Sequence, residues 1–315
     1  MKWKVLVSAP YLQPEIDRFR PLFAEHDIEV VLPPVAERLS EDELLQWIGD
    51  IDGVIAGDDR FTDKVLAAAP RLKVLSKWGT GIDSFDLDAC RRRGVAVRNT
   101  PNAFSEPVAD SVLAYVLSFA RRTPWMDREM KQGHWEKIPG TSLRECTLGV
   151  IGVGNVGRAV VRRAAAFGMR ILGNDPLQVS QEFLEQHGVS MVSREELLRQ
   201  SDFVTINCDL NPTSRHLMND AAFDLMKQNA VLVNTARGAI VDEAALVRAL
   251  QREKIAGAGL DVFEAEPLPL ESPLRRMDNA LLAPHNSNSS KAAWERVHEN
   301  TIRNLLEVLK GASHE

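Results

Sequence analysis

The stretch Gly152-Val-Gly154-Asn-Val-Gly157 decides the fold of this chain. It follows the apolar run Thr147-Leu-Gly-Val-Ile151 and precedes a segment of helical composition over residues 158–167. A glycine-rich turn between a strand and a helix brings backbone N–H groups close to a pyrophosphate and lets the helix pack on the strand. The stretch therefore predicts a dinucleotide-binding domain. The alternative is a structural turn without a ligand.

An acidic residue stands where such a domain binds the adenosine ribose. The next apolar strand, over residues 169–174, ends at Asp175, close to the roughly 20-residue spacing expected for this group. A carboxylate there can accept hydrogen bonds from the ribose hydroxyls, and it repels the 2′-phosphate of NADP. No arginine follows within residues 176–180. We therefore expect NAD as the cofactor.

Composition excludes several classes of function. The net charge of −6 and the pI near 5.7 argue against binding to nucleic acid or to an anionic membrane. Three cysteines (Cys90, Cys146 and Cys208) cannot all pair and show no metal-ligand spacing. The N-terminal residues show no signal pattern, and no apolar run reaches membrane-spanning length. We expect a cytoplasmic protein without a metal site.

Two series of alternating strands and helices follow from the hydrophobic pattern. Strands are predicted at 4–7, 29–32, 53–56, 72–75 and 95–97, and then at 148–151, 171–174, 190–192, 203–207, 231–234, 256–262 and 280–283. Helices are predicted at 40–48, where Ser40 and Glu43 form a capping box, and at 62–69, 106–122 and 291–309. Ser105 is the expected cap of the third helix, and residues 125–144 are expected to be irregular.

Alternation of this kind predicts an α/β fold with two doubly wound parallel sheets and a ligand cleft between the two domains. The central domain, residues 100–287, is expected to be a Rossmann NAD-binding domain. Residues 1–99 together with 288–315 are expected to form a flavodoxin-like, substrate-binding domain. At 315 residues the chain is long enough for both.

Three polar residues at or just after predicted strand ends can carry chemistry: Arg237, Glu266 and His285. In an open α/β sheet, ligands bind outside the carboxyl ends of the strands. A guanidinium binds a carboxylate through two parallel hydrogen bonds, and an imidazole beside a carboxylate can exchange a proton near neutral pH. Each residue taken alone has a structural alternative: a surface ion pair, a solvated acid or a loop histidine.

The chain resembles the D-isomer-specific 2-hydroxyacid dehydrogenases, in a short form without a regulatory domain. The resemblance covers nearly the whole chain and rests on these segments: Lys77-Trp-Gly-Thr-Gly-Ile-Asp83, Val108-Ala-Asp110, the Gly152–Gly157 stretch with Asp175-Pro176, Asn211-Pro-Thr-Ser-Arg-His-Leu217, Asn234-Thr-Ala-Arg-Gly238, Ile240-Val-Asp242, Gly259-Leu-Asp-Val-Phe-Glu-Ala-Glu-Pro267 and Pro284-His285. It implies NAD-dependent interconversion of a 2-keto acid and a D-2-hydroxy acid.

The resemblance also implies a role for each site residue. His285 would be the acid and base, Glu266 its partner, and Arg237 would bind the carboxylate and carbonyl oxygen. Implied cofactor contacts are Thr80, Gly152, Gly154, Asn155, Val156, Gly157, Asp175, Pro176, Cys208, Asp209, Thr235, Ala236, Arg237, Asp261 and His285. Implied substrate contacts are Trp78, Gly79, Thr80, Gly81, Arg237 and His285.

Substrate choice is less determined by the sequence. Relatives that oxidise phosphoglycerate place several arginines near the end of the third strand, where this chain has Gly57-Asp-Asp-Arg60. One arginine and two acids make a poor phosphate site, although Lys77 could add a charge if it is not an edge residue. Candidate pocket walls are Tyr11, Leu12, Trp78, Phe104 and Trp135. We expect a small 2-keto acid such as glyoxylate, hydroxypyruvate or pyruvate.

Departures from the family pattern and rival functions stay open at this point. Phe104, Asp209 and the stretch Asn286–Ser290 differ from common relatives and could alter specificity. A short 3-phosphoglycerate dehydrogenase is the enzymatic alternative, and an NAD-sensing corepressor-like protein is a minor one. Formate dehydrogenase is disfavoured, because those relatives pair the histidine with a glutamine. The family usually dimerises, and a homodimer through residues 108–119 and 125–144 is expected.

Overall fold

The computed structural model describes residues 2–312. The chain divides into two compact units. The first consists of the chain up to Phe104 together with the segment from Ser290 onward, and the second runs from Ser105 to Ser289. Each unit is built around one parallel sheet.

The strands and helices follow in chain order. The strands are β1 Trp3–Val7, β2 Ile28–Val31, β3 Gly53–Ala56, β4 Val74–Lys77, β5 Ala96–Arg98, β6 Thr147–Ile151, β7 Arg170–Asn174, β8 Val189–Met191, β9 Phe203–Ile206, β10 Val231–Asn234, β11 Gly257–Leu260 and β12 Ala280–Leu282. The helices are α1 Ile16–Glu25, α2 Glu41–Trp47, α3 Asp63–Ala67, α4 Leu87–Arg92, α5 Ser105–Arg121, α6 Thr123–Lys131, α7 Asn155–Ala166, α8 Gln181–His187, α9 Arg194–Gln200, α10 Asp220–Leu225, α11 Glu243–Gln251 and α12 Lys291–Ala312.

The first unit has the strand order β2-β1-β3-β4-β5. This is the order of flavodoxin-like doubly wound sheets. The inner strands β3 and β4 are buried along their whole length, as expected for a parallel sheet with both faces covered. Helix α12 packs against β3 and β4, where its Leu305 side chain lies directly against Gly53.

The second unit has the strand order β12-β11-β10-β9-β6-β7-β8. The order reverses between β6 and β9, which is the Rossmann arrangement and places the ligand-binding crevice at the carboxyl ends of these strands. Apolar clusters cover both faces of the sheet, one with Leu232 and Leu260 and the other with Val150 and Val233. The predicted α/β architecture is confirmed.

Local structure departs from the sequence-based predictions in three places. The strand predicted at 72–75 is β4, Val74–Lys77, so it extends to the charged Lys77. Residues 125–144 are not wholly irregular, because α6 covers Thr123–Lys131. Proline in its first turn suits a helix start, but only Trp125 is buried, so no apolar period marks it. Ser105 is the first residue of α5 rather than its cap.

Within residues 2–312, none of the helices has the length and apolar character needed to cross a bilayer.

Candidate active site

The glycine-rich stretch forms the turn between β6 and α7. Gly152 adopts a φ of +87°, which side chains other than glycine rarely tolerate. A Cβ atom on Gly157 would lie 2.0 Å from the Gly152 carbonyl oxygen, so α7 can approach β6 this closely only with glycine there. A Cβ atom on Gly154 would meet nothing within 4 Å. The outer side of the loop is therefore open, as a pyrophosphate requires.

The start of α7 supplies donors for an anion. Gly154 occupies the N-cap and no side chain caps the helix. The first turn contains Asn155, Val156 and Gly157 and carries no acidic residue. Backbone N–H groups at an uncapped helix N-terminus, together with the helix dipole, favour a phosphate.

Asp175 lies at the end of β7 and is bonded to the same loop. Its Oδ2 accepts a hydrogen bond from the Val153 amide at 2.7 Å, and its Oδ1 accepts one from the Leu177 amide at 2.8 Å. Each carboxylate oxygen has a further lone pair for a ribose hydroxyl. The carboxylate therefore also fixes the loop whose glycines approach the pyrophosphate. Pro176, beside it, is exposed.

The loop after β9 packs against the glycine turn. A Cβ atom on Gly152 would come within 2.6 Å of the Cys208 backbone nitrogen. Burial raises the pKa of the Cys208 thiol to about 11. The thiol is therefore protonated near neutral pH, and Cys208 lines the loop as an uncharged side chain rather than acting as a nucleophile. The neighbouring Asp209 is exposed, and its carbonyl oxygen accepts a hydrogen bond from Ser214 Oγ at 2.6 Å.

The loop after β10 carries Arg237. The Asn234 side chain closes this loop: its Oδ1 accepts the Ala236 amide at 3.1 Å and its Nδ2 donates to the Arg237 carbonyl at 3.0 Å. Thr235 Oγ1 is buried and has no hydrogen-bond partner among the residues that the structure describes. An unpaired buried hydroxyl costs free energy unless a ligand pairs with it, which fits a cofactor beside Thr235 and Ala236.

Gly238 brings the Arg237 loop against the loop that carries Glu266. A Cβ atom on Gly238 would lie 1.9 Å from the Phe263 carbonyl carbon. Only glycine therefore fits where the two backbones meet. The two loops follow adjacent strands, β10 and β11, so Arg237 and Glu266 are both placed at the carboxyl edge of the sheet.

His285 and Glu266 are in direct contact at this edge. His285 Nδ1 lies 3.1 Å from Glu266 Oε2, and both side chains are about four-fifths buried. Glu266 Oε1 accepts the Phe263 amide at 2.9 Å, which orients the carboxylate. With Nδ1–H donating to the carboxylate, Nε2 is the ring nitrogen that exchanges a proton. The structure thus brings His285 and Glu266, both predicted catalytic residues, into direct contact.

Asp261 anchors the backbone on both sides of this histidine. The His285 amide donates to the Asp261 carbonyl oxygen at 2.8 Å. The Asp261 carboxylate accepts the Asn286 amide at 2.7 Å and the Ser287 amide at 2.8 Å. These bonds hold His285 at a φ of +50°. Sequence reasoning gave Asp261 a cofactor contact only, whereas the structure also makes it a support for the histidine loop.

In the first unit, the loop Trp78–Gly81 follows β4. Gly79 has a φ of +126°, so glycine is required there. Its carbonyl oxygen accepts the Thr100 amide at 2.8 Å, while Thr80 Oγ1 donates to the Thr100 carbonyl at 3.0 Å. Asn99 Nδ2 donates to the Thr80 carbonyl at 2.6 Å. The loop is therefore braced from one side, and Thr80 itself is exposed.

Trp78 is the centre of an aromatic cluster in this unit. Its ring centroid lies 5.5 Å from that of Tyr11, 5.7 Å from that of Phe104 and 5.9 Å from that of Trp294. Trp78 Nε1 donates to His298 Nδ1 at 2.9 Å. Leu12 is fully buried, so the expectation that it lines a substrate pocket is wrong. In the second unit, Trp135 is 86% exposed.

Sequence reasoning missed several groups near these loops. His216 Nε2 lies 2.6 Å from Glu264 Oε1, beside the Glu266 loop. Lys77 is not an edge residue, because β4 lies between β3 and β5 and the side chain is buried. The pairing of Trp78 with His298 joins residues far apart in the sequence, and hydrophobic periodicity carries no signal for such a pair.

Comparison with known proteins identifies the family. Residues 113–287 match the model of the NAD-binding domain of D-isomer specific 2-hydroxyacid dehydrogenases. The glyoxylate reductase of Korarchaeum cryptofilum is 37% identical over 86% of this chain and 84% of its own length. The chain belongs to the D-isomer specific 2-hydroxyacid dehydrogenase family. This confirms the expected family and its NAD-binding domain.

Other members of the family differ in the activities named for them. The D-3-phosphoglycerate dehydrogenase of Methanocaldococcus jannaschii is 38% identical over 98% of this chain, which spans only 58% of that relative's length. The D-lactate dehydrogenase of Aquifex aeolicus, solved with NAD and lactic acid, superimposes with a TM-score of 0.88 at 28% identity. It matches 98% of this chain and 96% of its own. The substrate is therefore not fixed by similarity.

Proposed function

We propose that this protein is an NAD-dependent oxidoreductase that interconverts a 2-keto acid and a D-2-hydroxy acid. The observation that carries the proposal is the 3.1 Å contact between His285 Nδ1 and Glu266 Oε2 at the carboxyl edge of a Rossmann sheet. An imidazole paired with a carboxylate can donate a proton to a carbonyl oxygen and take it back in the reverse reaction. Family membership and the glycine loop support the same reaction.

Each catalytic residue has a defined part. Arg237 binds the substrate carboxylate and the carbonyl oxygen through its guanidinium, and the N–H groups of Gly79, Thr80 and Gly81 bind the carboxylate. The Gly152–Gly157 loop and Asp175 would hold NADH, which when bound would supply a hydride to C2. His285 Nε2 gives its proton to the carbonyl oxygen as negative charge develops there, and Glu266 stabilises the charged imidazole. The product is the hydroxy acid, and NAD⁺ and neutral His285 remain.

A small, unphosphorylated keto acid such as glyoxylate, hydroxypyruvate or pyruvate is the substrate that the residues favour. The segment after β3, Gly57-Asp-Asp-Arg60, offers one exposed arginine and two acids, which is unfavourable for a phosphate. 3-Phosphoglycerate is the second candidate, because relatives such as that of Methanocaldococcus jannaschii carry that name. An NAD-sensing binding protein would bind NADH without turnover.

The test is the initial rate of NADH oxidation with glyoxylate, hydroxypyruvate, pyruvate, longer 2-keto acids and 3-phosphohydroxypyruvate. We expect turnover of at least one unphosphorylated acid and loss of about 100-fold or more in kcat/KM in Arg237→Ala, since this change removes charge stabilisation in the transition state. Fastest turnover of the phosphorylated acid would favour the second candidate. NADH binding without any turnover would refute the oxidoreductase.

The cofactor position has its own test in two neighbouring glycines. In Gly154→Ala, the new Cβ meets open space in the protein, so we expect unchanged thermal stability but weaker NADH binding, because the methyl group stands where the pyrophosphate approaches. In Gly157→Ala, the Cβ collides with the Gly152 carbonyl, so stability and NADH binding should fall together. Differential scanning fluorimetry and NADH fluorescence titration measure both. Unchanged NADH affinity in Gly154→Ala would contradict this cofactor position.

The homodimer and the cytoplasmic location stay proposals. Trp135, at 86% exposure, and Met130, at 50%, lie on the segment expected to form the interface. Sedimentation equilibrium should find a species of twice the 35.0 kDa chain mass. A monomer at micromolar concentration would contradict the dimer.

A further inference from the structure

A buried lysine lies at the base of the loop Trp78–Gly81. Lys77 is the last residue of β4, and its side chain is only 5% exposed. Its Nζ lies 2.9 Å from Asp58 Oδ1 and donates to the Trp78 carbonyl oxygen at 3.3 Å. A lysine is rarely buried to this degree unless it is paired. The ion pair with Asp58 is therefore what allows the charge to remain inside the protein.

The ammonium group lies next to the loop proposed to bind the substrate. A Cβ atom on Gly79 would stand 3.9 Å from Lys77 Nζ. The Phe104 ring lies closer still, 3.5 Å from the same position, so the ammonium and this ring flank the buried Gly79. Lys77 is thus the positive group beside Gly79, and Asp58 is the negative group bonded to it.

A second acid beside the pair cannot take the place of Asp58. Asp59 is fully buried, and its carboxylate accepts hydrogen bonds from Ser8 Oγ at 2.5 Å, from the Leu39 amide at 2.7 Å and from the Gly57 amide at 3.0 Å. These bonds commit Asp59 to holding the loops after β1 and β3. Asp58, in contrast, has a side chain that is 38% exposed, so it is the member of the pair that an incoming ligand meets.

We propose that the Asp58–Lys77 ion pair is a specificity-determining element that restricts the substrate to 2-keto acids with a single negative charge. The inference rests on the proposed function, since it assumes that the Gly79–Gly81 loop binds the substrate carboxylate. A group on C2 that carries a phosphate or a second carboxylate would meet the Asp58 charge and would have to compete with it for Lys77. A hydrogen, methyl or hydroxymethyl group meets no such repulsion.

Like charges brought together across a binding surface are a common way of rejecting wrong ligands. Here the selectivity comes from one carboxylate, because Lys77 alone would attract a second anion. Asp58→Asn keeps the size of the side chain and an oxygen acceptor, while it removes the charge that is bonded to the ammonium and leaves the buried Asp59 as the acid that still acts on Lys77. We therefore expect the single substitution Asp58→Asn to let the enzyme accept keto acids that carry a second anionic group.

The experiment compares acids that differ in one anionic group. The ratio of kcat/KM for 3-phosphohydroxypyruvate to that for hydroxypyruvate is measured at saturating NADH in the wild type and in Asp58→Asn. We expect the ratio to rise by about tenfold or more in the variant, because a like charge is removed and a cation is released. Oxaloacetate against pyruvate should show the same direction with a carboxylate in place of the phosphate.

Two further variants control the interpretation. Asp58→Asn combined with Lys77→Met should lose the gain, because the gain requires the released cation. Asp88→Asn makes the same change in net charge on the exposed face of α4, where Asp88 pairs with Arg91, and should leave the ratio at its wild-type value. An unchanged ratio in Asp58→Asn, or an equal gain in Asp88→Asn, would overturn the proposal.

A binding measurement separates this proposal from the proposed function. Calorimetric titration with D-glycerate and with 3-phospho-D-glycerate in the presence of NADH needs no turnover. The wild type should bind D-glycerate more tightly, and Asp58→Asn should shift the affinity ratio toward the phosphorylated acid. Equal affinities in the wild type, or no shift in the variant, would refute the selectivity. That shift without turnover of any keto acid would refute the oxidoreductase and retain the selectivity.

Discussion

Two histidines in this molecule have opposite surroundings. His285, in the loop after β12, faces the Glu266 carboxylate through Nδ1 at 3.1 Å and remains partly exposed. His298, in the middle of α12, is 3% exposed and accepts a hydrogen bond from Trp78 Nε1 through the same ring nitrogen. The Nδ1 of His285 therefore carries a proton toward a negative group, whereas the Nδ1 of His298 must be unprotonated.

The difference separates a proton donor from a structural acceptor. A carboxylate partner favours the charged imidazole, which is the form that can protonate a substrate. Burial lowers the pKa of His298, although Glu295 and Glu15 oppose this, so His298 is held in the neutral form that can accept the indole N–H. The residue type is the same, and the partner of Nδ1 decides the role.

The largest expected effect is on kcat, and it appears when His285 and His298 are each replaced by an amide and compared. His285→Gln removes the proton donor, and we expect kcat to fall by about 100-fold to 10,000-fold. His298→Asn keeps an oxygen near the position of Nδ1 and should reduce kcat far less. NADH oxidation with the best keto acid measures both, and NADH fluorescence confirms that the cofactor still binds. Comparable losses of kcat in the two variants would contradict the assignment of His285 as proton donor and His298 as structural acceptor.

Removing the charge from Glu266 tests why His285 differs from His298. Glu266→Gln can keep an oxygen to accept the Phe263 amide, but it no longer stabilises a charged imidazole. An adjacent opposite charge is worth about one to three pKa units, so we expect kcat/KM near neutral pH to fall by about tenfold or more while the thermal midpoint changes little. The control is Glu264→Gln on the same loop, whose partner is His216. An equal loss in that control would assign the effect to loop geometry.

The sequence predicts the strands, helices and loops that carry these residues better than it predicts the contacts between distant side chains. The glycine stretch correctly places β6 and α7, and Ser40 and Glu43 form the predicted capping box, because turn and cap chemistry is local. The carboxyl-edge rule places Arg237, Glu266 and His285 in loops of one sheet. Their functional roles remain predictions, and the His285–Glu266 contact is the part of this set that the geometry brings together.

Contacts between distant residues could not be predicted from local pattern. Trp78 and His298 meet because α12 packs on β4, and periodicity shows which helix face is buried without showing its partner. The sequence left Lys77 open as an edge residue or as a charge in the site, yet Asp58 neutralises it inside the protein. The short helix α6 was missed for a related reason: one buried residue, Trp125, gives no period.

The acceptor role of His298 is tested by its effect on stability. In His298→Leu, the buried indole N–H of Trp78 loses its acceptor, which should lower the free energy of unfolding by about 1–3 kcal/mol. His298→Asn, which retains an acceptor, should be less destabilised. Urea unfolding followed by tryptophan fluorescence compares the two variants. If Asn and Leu destabilise the protein equally, the Trp78 hydrogen bond contributes nothing measurable.

The smallest effect, and the sharpest separation of the two histidines, is in the pH dependence of stability. Because burial lowers the pKa of His298 below its ordinary value of 6.5, the unfolded chain takes up a proton at a higher pH than the folded protein does. The free energy of unfolding should therefore decrease as the pH falls through about 6.5, by at most about 1.4 kcal/mol per pH unit from this group.

His298→Asn cannot take up that proton, so its stability should depend less steeply on pH between about 7 and 5. Subtracting the two curves cancels the titrating groups that do not interact with His298. Glu15, Arg18 and Glu295 face His298, so the difference reports His298 together with its coupling to these three groups. Parallel curves would show that His298 has the same pKa in the folded and unfolded protein. Burial beside Trp78 would then not lower the pKa of this histidine.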